Sequence, residues 1–189
     1  MIKRLTIPAN KFDETNIDYR IISYLVNKHM NQIAPLLEKN KKYYDGEHDI
    51  LFRQRQSQSA PNSRVVCNHA AYIADTSSSY FMGSPIKYTN TDEVDIEPLL
   101  MAFDRAYIDD IDMQHSLNMA IYGVSYEYEF VKKNTNEINV KVVNPAHTFM
   151  VYDDSIEENP LFAVYYRVVK DDSKDSKALV ANIFTQNFI

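Results

Sequence analysis

The spacing of apolar residues along the chain changes once, at Gly123, and this change predicts the fold class. Before Gly123, apolar residues recur every three or four positions, which is the spacing of one helix face. After it, residues 124–131 alternate aromatic and acidic side chains, which is the period of a strand. The alternating residues are Tyr126, Glu127, Tyr128, Glu129 and Phe130. Helices followed by strands predict an α+β fold with an antiparallel sheet.

Helical spacing marks four stretches before the change: residues 18–44, 64–82, 92–108 and 110–122. Pro35 lies inside the first, so we expect two consecutive helices there, or one helix kinked between Asn31 and Pro35. In the second, small residues permit close packing against another helix, and we expect their face to be the packed one. The residues of that face are Val66, Ala70, Ile73, Ala74, Ser77 and Phe81.

Five strand segments follow the change, and the first two are predicted to form a hairpin. They are residues 124–131, 138–143, 148–152, 162–169 and 178–185. Residues 1–17 are polar and are expected to form an irregular arm. The prediction is therefore one α+β domain over residues 18–189, with N-terminal helices followed by an antiparallel sheet of about five strands.

Composition excludes several classes of function. Only 3 glycines are present, and no phosphate-binding Gly-rich loop can be found. Cys67 is the single cysteine, so a zinc pair and an internal disulfide are both excluded, and we expect it to be a small buried side chain. No stretch reaches the ~18 uninterrupted apolar residues of a membrane span, so no membrane partner is expected. The net charge of −6 is the sum of +3 over residues 1–80 and −9 over residues 81–189, and the acidic second half argues against a large nucleic-acid grip there.

An acidic cluster is the best candidate for a metal site: Asp104, Asp109, Asp110 and Asp112, with His115 nearby. Because Asp109 and Asp110 precede a helix, capping of that helix is the competing interpretation. A small metal-dependent enzyme or nuclease that uses this cluster is the alternative function. Residues 47–49, Glu-His-Asp, offer a second acid-base set, but adjacent residues seldom face one another, so a polar turn is expected there.

Several strings together resemble the siphophage portal protein family. Residues 43–51, YYDGEHDIL, resemble its YYxGxHxIL signature, and residues 72–88 resemble its YIxDTxxxYFxGxPIxY segment. Weaker likenesses follow at residues 62–68, at 120–123 and from Asn144-Pro145 to 154. The motif residues, which we expect to be structural, are Tyr43, Tyr44, Asp45, Gly46, His48, Asp49, Asp75, Thr76, Tyr80, Phe81, Gly83, Pro85, Gly123 and Pro145.

The resemblance implies a structural subunit with no catalytic centre, metal or cofactor. Such subunits form a ring of about twelve copies at one capsid vertex, through which double-stranded DNA passes without sequence recognition. Implied partners are other portal subunits, capsid and scaffolding proteins, the terminase and the head-completion proteins. The implied location is the virion, after assembly in the cytoplasm of the bacterial host. A generic α+β interaction module unrelated to phages is the third interpretation.

Members of the family are much longer, and this chain resembles their wing region. The clip, stem and crown are therefore expected to be absent from it. We expect such a piece to be a monomer or small oligomer rather than a stable ring, because small interfaces seldom offset the entropy of association.

Overall fold

The fold is α+β, as predicted. The computed structural model describes residues 4–13, 18–55, 57, 59, 61–91, 94–135, 137–171 and 176–185. Among these residues, the five α-helices are α1 (Tyr19–Lys28), α2 (Ala34–Tyr44), α3 (His69–Met82), α4 (Glu97–Ala106) and α5 (Ile108–Tyr122). The strands are β1 (Leu5–Ile7), β2 (Tyr126–Val131), β3 (Ile138–Val143), β4 (Thr148–Asp153), β5 (Pro160–Asp171) and β6 (Ser176–Thr185).

The chain forms two compact units. The terminal unit combines residues 1–37 with residues 144–189, and the central unit is residues 38–143. The boundary after Leu37 lies inside α2. The single domain over residues 18–189 stays a prediction, which cooperative unfolding of the two units would test.

A four-stranded sheet forms the terminal unit, in the order β1-β4-β5-β6. β4, β5 and β6 are antiparallel, whereas β1 runs parallel to β4. β1 lies in the segment expected to be irregular, so that prediction is wrong for Leu5–Ile7. Leu5 and Ile7 face the core and Thr6 faces solvent, the alternation of a half-buried strand.

α1 packs its apolar stripe on this sheet. Asp18 begins the helix by accepting a hydrogen bond from the Arg20 amide at 2.8 Å. Its buried residues Ile22, Leu25 and Val26 have helical spacing. They form one core with residues of the sheet: Leu5, Ile7, Phe149, Val151, Phe162, Val164 and Tyr166.

The predicted break near Pro35 is confirmed. A π-helical turn at His29–Ile33 separates α1 from α2, and Pro35 is the second residue of α2. Pro35 has no backbone amide proton to donate to the carbonyl of Asn31 one turn earlier, so a regular α-helix would lose a hydrogen bond here. The wider π-helical turn lies at this point of the chain.

All five predicted strands form, but in two sheets instead of one. β2 and β3 are an antiparallel hairpin in the central unit, and β4 to β6 belong to the terminal unit. Asn144 and Pro145 lie at this change of unit, where the Asn144 Oδ1 accepts from the Ala146 amide at 2.9 Å. The predicted turn after β5 falls largely on residues 172–175, outside the described residues.

The central unit contains α3, α4, α5 and the hairpin. α3 begins at His69, five residues later than predicted, because the Asn68 side chain caps it by accepting from the Ala71 amide at 3.1 Å. α4 begins at Glu97, whose amide donates to Asp95 Oδ1 at 3.0 Å, while Asp92 lies outside the described residues. None of the described helices is long and apolar enough to span a membrane.

Candidate functional site

The first motif string forms the end of α2 and the turn that stops it. The Glu47 amide donates to the Lys42 carbonyl at 2.8 Å and the Gly46 amide to the Tyr43 carbonyl at 3.3 Å, which is the paired pattern of a Schellman end. Gly46 has φ of +84°, a left-handed conformation that costs glycine little. The left-handed backbone conformation therefore explains why this position of the motif is a glycine. Asp45 pairs with Lys41 one helical turn earlier.

Tyr43 organises the short turn that follows. Its hydroxyl donates to Asp49 Oδ2 at 2.8 Å, and its ring stacks on His48 with centroids 4.8 Å apart. His48 Nε2 donates to the Tyr43 carbonyl at 3.0 Å, which folds the turn back on α2. The hydroxyl lowers the pKa of Asp49, and the same bond raises the pKa of Tyr43. Lys39 Nζ lies 3.6 Å from the Asp49 carboxylate.

His48 and Asp49 are therefore bound to Tyr43 and do not form an acid-base set with each other. The side chains of both residues stabilise a turn, as the polar-turn interpretation predicts. A proton relay would need the imidazole and carboxylate to share a hydrogen bond, and each instead binds a different atom of Tyr43.

Tyr44 links the end of α2 to α3. Its hydroxyl donates to Asp75 Oδ1 at 2.8 Å, and this bond raises the pKa of Tyr44. The Asn68 side chain, which caps α3, donates to the Tyr44 carbonyl at 2.8 Å. Tyr44 thus donates one hydrogen bond to α3 and accepts another from its N-cap residue, and the two position α3 relative to the end of α2. We name the residues 43–49, Asn68 and Asp75 the α2–α3 corner.

A groove of about 520 Å³ adjoins this corner. Its walls are the end of α2, the first half of α3 and the end of α5: Lys39, Asn40, Tyr43, Tyr44, Ala70, Ile73, Ala74, Ala120 and Ile121. Its α3 and α5 walls are apolar, with alanine and isoleucine side chains, whereas its α2 wall carries polar groups.

α3 carries its large apolar side chains on the outside, which corrects the predicted face. Ala74 and Ser78 are buried, and Ser78 meets α5, where its hydroxyl donates to Met113 Sδ at 3.8 Å. Ile73 and Phe81, predicted to be packed, are 62% and 73% exposed. The motif residues Thr76 and Tyr80 also face outward.

The remaining motif residues have separate roles. A Cβ on Gly83 would lie 2.4 Å from the Ser79 carbonyl oxygen, so only glycine fits after α3. Gly123 ends α5 with φ of +75° and donates to the Met119 carbonyl at 2.9 Å. Pro85 is exposed beyond α3, and Pro145 is buried in the terminal unit.

The residues of the predicted acidic cluster do not share one site. Asp104, Asp109 and Asp110 line a second pocket, of about 320 Å³, with Tyr88, Phe103, Tyr107 and apolar neighbours. His115 instead lies 2.6 Å from the Ser125 hydroxyl and 3.0 Å from Glu127 Oε2, while burial raises the pKa of Asp112. Across the described ranges, no three His, Cys, Asp or Glu side chains converge on a point that could hold a metal ion.

Capping by Asp109 or Asp110 is also a wrong prediction. The N-cap residue of α5 is Tyr107, with φ of 56°, and its side chain makes no capping hydrogen bond. The two carboxylates lie in the first turn, where negative charge still favours the helix dipole. Cys67, predicted to be buried, is exposed.

One buried polar network escaped the sequence analysis. His29 is 2% exposed in the terminal unit, with Nδ1 2.9 Å from the Tyr166 hydroxyl, and that hydroxyl donates to the Ala146 carbonyl at 2.9 Å. The ring of His29 stacks on Phe149. Its position was visible in the sequence, because residues 22, 25, 26 and 29 continue one helical stripe.

A family model described as phage portal protein, SPP1 Gp6-like, matches residues 25–189. The match includes α1 from Leu25 onward, the whole central unit and strands β4 to β6. No curated protein matches the chain.

Proposed function

Because this chain belongs to the SPP1 Gp6-like family of phage portal proteins, we propose that it forms part of the ring at one capsid vertex through which DNA is packaged and ejected. Its role in the phage portal is structural. The family match over residues 25–189 is the observation that carries the proposal. The outward apolar face of α3 supports it, because exposed apolar patches of this kind mark surfaces that another protein covers.

The motif residues serve this role by fixing backbone and helix direction. Gly46 and Gly123 end helices in left-handed conformations, and Tyr44 with Asp75 joins α2 to α3. The exposed side chains of Tyr80 and Phe81 add apolar surface to the subunit. None of these roles requires a reacting group. We therefore propose a subunit without catalytic activity or cofactor.

The partners follow from the same proposal: other portal subunits, capsid and scaffolding proteins, the terminase and the head-completion proteins. The net charge of −6 suits a surface over which DNA passes without being held, because tight binding requires clusters of Lys and Arg on the phosphates. The location is the virion vertex, reached after assembly in the host cytoplasm.

The alternative, a metal-dependent enzyme, gains no support from the geometry. His115 is bound to Ser125 and Glu127, away from the pocket that Asp104, Asp109 and Asp110 line. We do not propose it.

Deletion of the gene from its phage or prophage tests the proposed function. Purified particles are analysed by peptide mass spectrometry for the chain and by electron microscopy for DNA. We expect the chain in wild-type particles at about twelve copies, the number that the family resemblance implies for a closed ring. We expect only empty heads after deletion, with DNA-filled heads restored when the gene is returned on a plasmid. Filled heads without the gene, or particles that lack the chain, would contradict the proposal.

A further inference from the structure

The side chains of α3 are distributed in reverse of an ordinary amphipathic helix. Its inner face is made of small residues: Ala70, Ala71, Ala74 and Ser78. Its large apolar side chains Tyr72, Ile73, Tyr80 and Phe81 are instead exposed, at 70%, 62%, 93% and 73%, and the neighbouring rings of Tyr80 and Phe81 lie at its C-terminal end. A surface helix normally turns its large apolar residues inward, so this arrangement costs hydration free energy unless another surface covers it.

The exposed area is large enough to matter for association. A buried aromatic side chain removes about 150–250 Å² from water, so the adjacent rings of Tyr80 and Phe81 at these exposures offer on the order of 330 Å². One partner in a stable interface contributes about 800 Å². These two rings alone therefore supply roughly two fifths of one side of such an interface.

The face is also nearly uncharged. α3 contains no lysine or arginine, and its single carboxylate, Asp75, already accepts from the Tyr44 hydroxyl. An apolar counterpart fits this face, and a neighbouring positive charge would meet no like charge on α3.

The same unit offers a counterpart at the turn end of the β2–β3 hairpin. Val131 and Ile138 are direct cross-strand partners, so their side chains lie side by side, and they are 58% and 57% exposed. Lys132 and Lys133 follow Val131 in the turn. This is an apolar tip beside two lysines, and Glu137 next to Ile138 lies 4.0 Å from Arg105. Its apolar residues match the exposed apolar residues of α3, and its lysines meet no like charge on that helix.

We propose that the outer face of α3 packs against the Val131–Ile138 tip of a second copy of this chain, head to tail. The inference rests on the proposed ring, since a ring closes only through contacts between two different surfaces of the same subunit. A two-fold contact of α3 with α3 would give a closed dimer and no ring.

Disulfide cross-linking of the purified chain tests this contact. Cys67 is exposed and is first replaced by serine, so that only the introduced thiols react. The test protein carries Tyr80→Cys and Ile138→Cys, and mild oxidation is followed by non-reducing electrophoresis. We expect a ladder of dimers, trimers and larger species that returns to one band on reduction, even where the contact is weak.

Matched controls separate the alternatives. Tyr80→Cys paired with Ile156→Cys, at an isoleucine more exposed than Ile138, is expected to give no ladder. Dimers from Tyr80→Cys alone would show a two-fold contact and overturn the head-to-tail arrangement. Absence of the ladder, with wild-type circular dichroism, would also overturn it.

Self-association in solution gives an independent reading. Tyr80→Ser with Phe81→Ser changes only exposed positions, so the fold is expected to stay intact. Loss of two aromatic anchors should weaken self-association about tenfold or more, measured by light scattering across a concentration series. Unchanged association would contradict the contact. The gene-deletion experiment does not depend on this surface, so failure here leaves the portal proposal standing.

Discussion

Stability between pH 4 and pH 7 should be controlled by one buried imidazole, His29. The Tyr166 hydroxyl has a single proton, which it donates to the Ala146 carbonyl because a carbonyl can only accept. His29 Nδ1, 2.9 Å from the same hydroxyl oxygen, must then be the donor to it. Nδ1 therefore carries a proton, and the ring is neutral near pH 7 because its pKa lies well below that pH. Burial, with a smaller effect of His147, lowers the pKa of His29 from 6.5 to about 4.

Stability falls as the pH is lowered because the unfolded chain binds a proton at this histidine at a higher pH than the folded chain does. As pH falls below 6.5, the unfolded chain protonates this histidine while the folded chain does not, so the folded state loses stability until pH reaches about 4. Each pKa unit corresponds to about 1.4 kcal/mol, so the full loss is about 3 kcal/mol. For a chain of this size that lowers Tm by roughly 6–12 °C.

Urea unfolding at a series of pH values measures this loss, with tyrosine fluorescence as the signal, since the chain has 14 tyrosines and no tryptophan. In His29→Gln the amide still donates to Tyr166 but does not titrate, so we expect a much flatter profile between pH 6.5 and 4. His69→Gln, at an exposed histidine, is the matched control.

Other titrating groups are common to all three proteins and cancel in the comparison. Hydrogen bonds from Ser155 lower the pKa of Asp153, so its contribution is lost only at lower pH, and the raised pKa of Asp112 acts in the opposite direction. Equal slopes for His29→Gln and the wild type would refute the assignment of the titration to His29.

Four further predictions concern the same two units. Tyr166→Phe leaves His29 Nδ1 and the Ala146 carbonyl without their shared partner and should cost about 2–3 kcal/mol in urea unfolding, while Tyr24→Phe, at an exposed tyrosine, should cost almost nothing. Gly46→Ala should cost about 1–2 kcal/mol through its left-handed φ, and Gly46→Asn clearly less; equal costs would point to a steric cause instead. We expect no hydrolysis of ATP or DNA with Mg²⁺ or Mn²⁺, and turnover that disappears in Asp110→Ala would contradict this. If residues 18–189 form one domain, circular dichroism and tyrosine fluorescence should follow a single urea transition, and two separated transitions would refute it.

The period of the sequence predicted the element types because periodicity records which residues share a face. It identified β2 from Tyr126, Tyr128 and Phe130, and the rings of Tyr128 and Phe130 do stack, with centroids 5.4 Å apart. β1 was missed because three residues carry almost no period, and Leu5–Ile7 becomes a strand only by pairing with Val151–Asp153.

Division of the strands into two sheets was also beyond the reach of a local pattern. From the sequence, β3 and β4 are predicted to be neighbouring strands of one sheet. The alternation of apolar and polar residues in the two strands does not indicate that they pair with strands of different sheets. The change of partner occurs at Asn144-Pro145, a turn whose direction depends on the Asn144 cap and on burial of the proline. The metal hypothesis failed for a similar reason, since nearness in sequence did not bring His115 to the pocket of Asp104.

The motif string at the α2–α3 corner and the reversed face of α3 have one physical explanation. An inner face of Ala70, Ala74 and Ser78 buries little area, so packing alone sets the rotation of α3 only weakly. The bonds from Tyr44 to Asp75 and from Asn68 to the Tyr44 carbonyl supply direction, which small apolar contacts lack. Polar contacts at the start and in the middle of α3 therefore help to fix the rotation of this helix. In the contact that we propose, this rotation presents Tyr80 and Phe81 to the neighbouring copy.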